Sequence, residues 1–261
     1  WPMTTFYISL PQVQIFLLIF LRVSAIMMTL PLFDSKNIPP LFKIGLSFSI
    51  TIILFPVLKL TDIPFLKGII PFGLGVASEI MLGAIIGLSV KLIFAGIQLA
   101  GQVAGFQMGL AIANVLDPVT QTQNSIIAQF KYLTAMLIFL ALNAHHWFLR
   151  SLVASFRLVP PFDFQLNNSL MKHLMLLAAN MFVIAIKVGA PIIVVMLLTS
   201  VALGLVARTV PQMNIFVVAM PLKIVIGLIF LGFMLPYLSI FLSRIFNELG
   251  SDIITLLKLS V

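Results

Sequence analysis

Cysteine is absent from this 261-residue sequence, and charge is scarce: 15 basic and seven acidic side chains make up 8% of the chain. Without cysteine there are no disulfides and no thiolate-ligated metal or iron–sulfur centres. With so little charge and 61% hydrophobic residues, at a mean hydropathy of +1.20, the chain cannot clothe a soluble domain of its size in polar surface. The net charge of +8 and pI near 10.1 would suit nucleic acid, but the Lys and Arg residues stand singly and form no basic run. Nucleic acid is therefore excluded as a partner. Alternation in ten-residue segments, the mark of a membrane barrel, is also missing. Runs such as SIIAQFKYLTAMLIFLAL and IVIGLIFLGFML are continuous and of helix length. The expected class is all-α, a polytopic helical bundle in contact with membrane lipid.

Within this apolar background the most informative feature is a glycine series. Gly83, Gly87, Gly96, Gly101, Gly105 and Gly109 run toward an Asp117-Pro118 stop. Spacings of four place Gly83 with Gly87, and Gly101 with Gly105 and Gly109, on one face of a helix, so a second backbone can approach closely there. The same stretch carries Glu79 and Lys91, which a lipid-facing helix would not tolerate readily.

Six apolar blocks are expected. The first, from about Gln12 to Phe33, stops at DSKNIPP; it contains Arg22 and lacks a small-residue cleavage site after it, so it reads as retained structure and not a signal peptide. The second runs from Leu41 to Leu60, broken late by Pro56. The third, from about Gly68 to Leu116, is roughly twice the ordinary spanning length of about 20 residues, which demands a bend or a re-entrant hairpin, expected between Gly96 and Gly109. A fourth starts at Ile126 and ends at VPP. Two more, about Leu170 to Ala207 and Ile215 to Asn247, read as an antiparallel hairpin across RTVPQMN, followed by a short amphipathic tail. The layout divides near Asn167 into a longer part, 1–166, and a two-helix part, 167–261.

Arg22, Glu79, Lys91, Lys131, Lys187 and Lys223 lie within or beside these blocks, where a charge at the bilayer centre costs about 2.5–3.5 kcal/mol. For Lys131 and Lys187, snorkelling to the headgroups and burial with a partner are both open. Arg22 and Lys223 are harder to excuse. Glu79 and Lys91 are twelve residues apart, beyond the reach of a same-helix bridge, so pairing between helices or contact with a water-filled lumen is expected, with a proton relay as a further option. Catalytic chemistry finds little footing. His145 and His146 are adjacent, so they diverge by about 100° on a helix and read with Trp147 as an interfacial belt. Asp117 and Asp163 have no triad-like neighbours, and no phosphate-binding loop or dinucleotide fingerprint occurs. No enzyme and no cofactor are expected. Met108, inside the glycine series, is a candidate for an adaptable seal; the other methionines read as packing.

The words GQVAGFQMGLAIANVLDP, FLALNAHHWFLRSLVASFRLVP and APIIVVMLLTSVALGLVARTVPQMNIFVVAMPLKIVIGL resemble the FliR-type export-gate family of type III secretion over essentially the whole chain. Most specific is the order G-x-Q-M-G, D-P, A-P, L-G-L-x-x-R-x-x-P-Q-x-N-x-F and P-L-K. The resemblance implies a single-copy subunit that completes a helical ring with FliP and FliQ, through which unfolded flagellar subunits pass. It further implies FlhB, FlhA and the basal-body ring as neighbours, and a place in the bacterial inner membrane within the flagellar basal body. It makes 1–166 FliP-like and 167–261 a FliQ-like hairpin.

By the same resemblance the pore-closing segment falls on Gly101 to Asn114 and the Asp117-Pro118 turn. Phe106, Gln107 and Met108 are then expected at the constriction, with Gly105 and Gly109 giving backbone freedom. Arg208, Pro211, Gln212 and Asn214 would form a hairpin tip at the cytoplasmic entrance. Lysine and arginine counts instead put the Lys59–Lys67 and Arg150–Lys172 connections inside; the resemblance is preferred, because that rule assumes every block spans a bilayer. The rival is a self-contained secondary transporter with Glu79 and Lys91 as a coupling pair; it lacks the expected pair of similar halves. A third reading is a structural subunit that contributes wall but no gate.

Overall fold

The computed structural model describes residues 9–33, 38–58, 68–110, 125–210, 212 and 214–261. Among them are seven helices and no strands: α1 (Leu10–Thr29), α2 (Pro40–Leu58), α3 (Ile69–Gln107), α4 (Ile126–Ala141), α5 (Ala144–Leu158), α6 (Asn168–Thr209) and α7 (Ile215–Leu259). Of these, α1, α2, α3, α6 and α7 are long and apolar enough to cross a membrane. The expected Asp117-Pro118 turn, Pro211 and the Lys59–Lys67 connection lie outside the described residues.

Local chemistry accounts for the ends. Before α1, the Ser9 N–H donates to Gln12 Oε1 (3.0 Å), and Pro11 sits in the first turn, where its missing N–H costs nothing. The helix stops at Thr29; Leu30 is extended, as a residue before proline prefers to be. Pro40 opens α2 as its first residue, a position suited to its fixed φ. The second block differs from expectation in that α2 continues through Pro56 to Leu58.

The fourth block is two helices. It was expected to be one, but α4 ends at Ala141 and Asn143 adopts a left-handed φ of 53°, which asparagine tolerates better than most residues. The chain then restarts as α5. At the other end of the sequence, the expected tail is the last part of α7, which continues through Gly250 to Leu259. Proline lies inside both long helices, at Pro191 in α6 and at Pro221 and Pro236 in α7.

Two compact units can be distinguished, each discontinuous in sequence. The first comprises Trp1–Lys91, His145–Leu176 and Glu248–Val261. In it, α1 packs on α2 through edge-on contacts of Phe16 with Phe48 (5.5 Å) and Phe55 (5.8 Å), while Leu18, Ile19, Val23 and Ile26 are fully buried. The start of α6 is tied to the end of α7: Asn167 Nδ2 donates to the Leu259 carbonyl (2.7 Å), and Asn167 Oδ1 caps the Leu170 N–H (2.8 Å). These bonds hold the start of α6 beside the end of α7.

The second unit comprises Leu92–Ala144 and Leu177–Asn247. Its centre holds Ala104, Met108, Ile127, Ile192, Met196, Leu231 and Met234. A separate aromatic group joins Phe94, Phe139 and Phe246, with Phe94 and Phe246 stacked at 5.7 Å and Phe139 edge-on to Phe246 at 5.1 Å. Such pairs contribute about 0.5–1.5 kcal/mol beyond burial. Outward from this centre, α6 exposes Phe182, Ile186, Val194, Leu197, Val201 and Leu205, an apolar stripe at helical spacing that suits lipid or neighbouring helices.

Candidate functional site

The glycine-bearing helix α3 is 39 residues long, about 58 Å at 1.5 Å per residue, and it contributes a different half to each unit. In the first unit Gly83 and Gly87 lie against α1. A Cβ on Gly83 would fall 2.7 Å from the Ala25 Cβ and 2.8 Å from the Arg22 carbonyl oxygen, and one on Gly87 would overlap Thr29. The missing side chains bring the two backbones together, as the four-residue spacing predicts.

One turn before Gly83 on the same face of α3, Glu79 meets Arg22 of α1. Arg22 Nε donates to Glu79 Oε2 and Arg22 Nη2 donates to Oε1 at 2.9 Å, a bidentate pair with both side chains buried. Nη1 of the same guanidinium donates to the carbonyls of Ser155 and Val159, each at 2.9 Å. The Ser155 carbonyl, in the last turn of α5, also accepts from the Val159 N–H (2.9 Å), and the Val159 carbonyl follows the last helical residue; a positive charge at this end is favoured by the helix dipole. The guanidinium also lies over the Phe156 ring, 4.3 Å from its centroid. Arg22 thus ties α1, α3 and α5 together with its donors largely satisfied, the condition under which a buried ion pair is tolerated.

Sequence reasoning singled out Arg22 and Glu79 but did not pair them. It missed the α5 terminus entirely. The signal was present in Val159-Pro160: a helix that must stop before proline leaves its last carbonyls open, and a nearby buried arginine is a natural donor to them. Both Glu79 oxygens are held by Arg22, while Lys91, about 18 Å further along α3 by helical rise, is exposed.

In the second unit the glycine face serves different neighbours. A Cβ on Gly96 would come within 2.6 Å of the Met181 carbonyl oxygen on α6, one on Gly101 would overlap the Ala128 backbone on α4, and one on Gly105 would overlap Ser125. The break expected somewhere between Gly96 and Gly109 falls at the end of that range. Helix α3 runs unbroken to Gln107 and then closes: Gly109 N–H donates to the Phe106 carbonyl (3.0 Å) and Leu110 N–H to the Gly105 carbonyl (3.1 Å). Gly109 has φ +83°. These two bonds around a left-handed glycine form a Schellman cap, which stops a helix and redirects the chain.

At this cap the three expected gate side chains part company. Met108 is fully buried in the core of the unit and packs against Gly227, whose Cβ position would be 2.6 Å from the Met108 methyl. Phe106 is 66% exposed, and Gln107 is exposed beside it. Phe106 is thus a large exposed aromatic at the end of a long helix, next to a buried methionine.

The remaining candidates are dispersed. Lys223 is half-buried; Arg208, Gln212, Asn214, Lys187 and Asp163 are exposed. Lys131, for which snorkelling was one option, is buried and its Nζ donates to the Val188 carbonyl at 3.3 Å. His145 and His146 contact each other edge-on at 4.3 Å. Among the described residues no group of three His, Asp or Glu side chains converges on a metal-sized space.

Residues 13–249 match the family described as bacterial export proteins, family 1. The chain belongs to this family. Among its relatives, the flagellar biosynthetic protein FliR of Bacillus subtilis (strain 168) is 37% identical over 235 residues, covering 89% of this chain and 90% of its own length. FliR of Pectobacterium carotovorum subsp. carotovorum is 34% identical over 248 residues, 92% and 93% of the two chains. FliR of Escherichia coli (strain K12) is 31% identical over 243 residues, 92% of each. In this member of the bacterial export proteins, both the Arg22–Glu79 lock and the α3 cap fall inside the matched region.

Proposed function

We propose that this chain is a single-copy subunit of the flagellar type III export gate, which completes a helical ring with FliP and FliQ and helps close the channel for unfolded flagellar subunits. The observation that carries the reading is near-full-length relatedness to FliR proteins from three different bacteria. The end of α3 supports the gating part. A Schellman cap projects Phe106 and Gln107 outward from a segment anchored by Met108, so the pair can reach into a lumen bounded by other subunits. The exposed apolar stripe of α6 supports the ring-forming part, since it suits neighbouring helices as well as lipid.

In this proposal residues 1–166 correspond to a FliP-like part and 167–261 to a FliQ-like hairpin. Gly101 to Asn114 and Asp117-Pro118 form the closing segment, and Arg208, Pro211, Gln212 and Asn214 face the cytoplasmic entrance, near FlhB and FlhA. The assembly sits in the inner membrane within the basal body. Deleting Gln107 to Leu110 tests the gate: in vesicles carrying the assembled complex, leakage of small ions should rise severalfold over the parent complex. Leakage equal to that of the parent would remove the gating role.

A further inference from the structure

The first unit contains a groove of about 620 Å³ between α5 and the last turns of α7, lined by Leu149, Arg150, Val153, Arg157, Leu158 and Ile254 among others. The residues from α5 form its outer face, because Phe148, Ser151, Leu152, Ser155 and Phe156 occupy the opposite face and are buried. The outer face is unusual in composition. It offers aliphatic side chains, with Leu149 and Ile254 exposed, and two exposed guanidiniums one heptad apart, at a helical rise of about 10 Å. None of the described lining residues is acidic. Just before the groove, Trp147 is exposed and the Arg150 guanidinium lies 5.4 Å from its ring. Lys258 follows Ile254 by four residues on α7, hence on the same face.

We propose that this groove binds one anionic phospholipid, with an acyl chain along Leu149, Val153, Leu158 and Ile254 and the phosphate held by Arg150 and Arg157. The polar lining side chains only donate hydrogen bonds. A phosphodiester, which only accepts them, is fully served by two guanidinium forks. An extended peptide laid in the same groove would find no side-chain acceptor for its N–H groups, which disfavours an extended-peptide occupant. Arginine stems extend over apolar surface while their heads meet the headgroup layer, and tryptophan favours the same depth. Two cations, with no acidic side chain among the described lining residues, give the preference for a negatively charged headgroup over a zwitterionic one.

Trp147 reports on the groove directly. The chain has two tryptophans, so Trp1→Phe leaves Trp147 as the sole emitter. The Trp1→Phe chain, placed in phosphatidylcholine nanodiscs, is titrated with phosphatidylglycerol or phosphatidylcholine brominated on the acyl chains. Half-maximal quenching is expected at roughly ten-fold lower mole fraction for phosphatidylglycerol. Arg157→Gln, which does not touch the tryptophan, should reduce that ratio, and Arg150→Gln/Arg157→Gln should bring it to about one. Equal quenching by both lipids in the Trp1→Phe chain, or a preference that survives the double substitution, overturns the proposal. Protection of Trp147 from both lipids in the export complex isolated from cells would mean that protein covers the groove, and would overturn it as well.

Discussion

Arg22 and Glu79, 57 residues apart in sequence, form a bidentate ion pair with no more than 1% of either side chain exposed. Its guanidinium simultaneously closes the C-terminal end of α5 through Ser155 and Val159. One arginine therefore fixes the relative placement of three helices, and Gly83 and Gly87 supply the close approach of α1 and α3 that lets it reach.

Breaking this pair from one side should cost far more than replacing both partners. Glu79→Leu or Arg22→Met alone should destabilise by about 3–5 kcal/mol, because each strands a buried charge, whereas the double substitution should recover a substantial part of that loss. Detergent-solubilised thermal unfolding of the parent, both single variants and the double variant measures the coupling. Strictly additive losses would show that the two side chains do not act as a pair.

The closely packed glycines Gly101 and Gly105 of α3 should not be equivalent to a glycine with open space beside it. Gly101→Val and Gly105→Val place atoms into Ala128 and Ser125 of the neighbouring chain segment and should sharply reduce the amount of folded protein. Gly204 has nothing within 4 Å of its Cβ position, so Gly204→Ala should be neutral or stabilising by up to about 1 kcal/mol through helix propensity. Expression and unfolding of the three variants together distinguish close packing from a general intolerance of change in long helices.

Gly109 is a different case, since space is not its constraint. Nothing lies within 4 Å of its Cβ position, yet its φ is +83°. Gly109→Ala should cost about 1 kcal/mol or slightly more, the strain of a left-handed alanine, and Gly109→Asn should cost less. If alanine and asparagine behave alike in thermal unfolding, the cap is not what holds the end of α3.

Lys131 is buried and its amine donates to the Val188 carbonyl. Lys131→Met keeps the stem and removes the group that is expensive to bury, so folded yield should be unchanged or improved, while Lys131→Glu should lower it severely. Loss of swimming motility in Lys131→Met at normal protein level would assign the amine a role in export instead of folding.

Much of this architecture was legible in the sequence because membrane-length apolar runs and proline punctuation are local signals. The blocks beginning near Gln12, Leu41, Gly68 and Ile126 each start within a few residues of a helix. The glycine face was legible for the same reason, as a four-residue period. The division of α4 from α5 was not, because a single asparagine at positive φ, between two apolar stretches, carries no distinctive pattern. The partner of Glu79 was not legible either. Lys91 shares its helix and Arg22 lies 57 positions away, and only the folded backbone brings the second within reach while keeping the first about 18 Å distant. Phe106, Gln107 and Met108 are consecutive and look alike as a motif, but the turn at the helix end sends Met108 inward and leaves its neighbours exposed.

The most direct test of the export-gate account is the composition of the complex this chain forms. The full chain carrying an affinity tag is co-expressed with FliP and FliQ, purified in mild detergent and weighed intact by native mass spectrometry. The account predicts one copy of this chain per particle together with several copies of each of the other two. Recovery of this chain without the co-expressed FliP and FliQ, or in particles that hold two or more copies of it, would contradict the account.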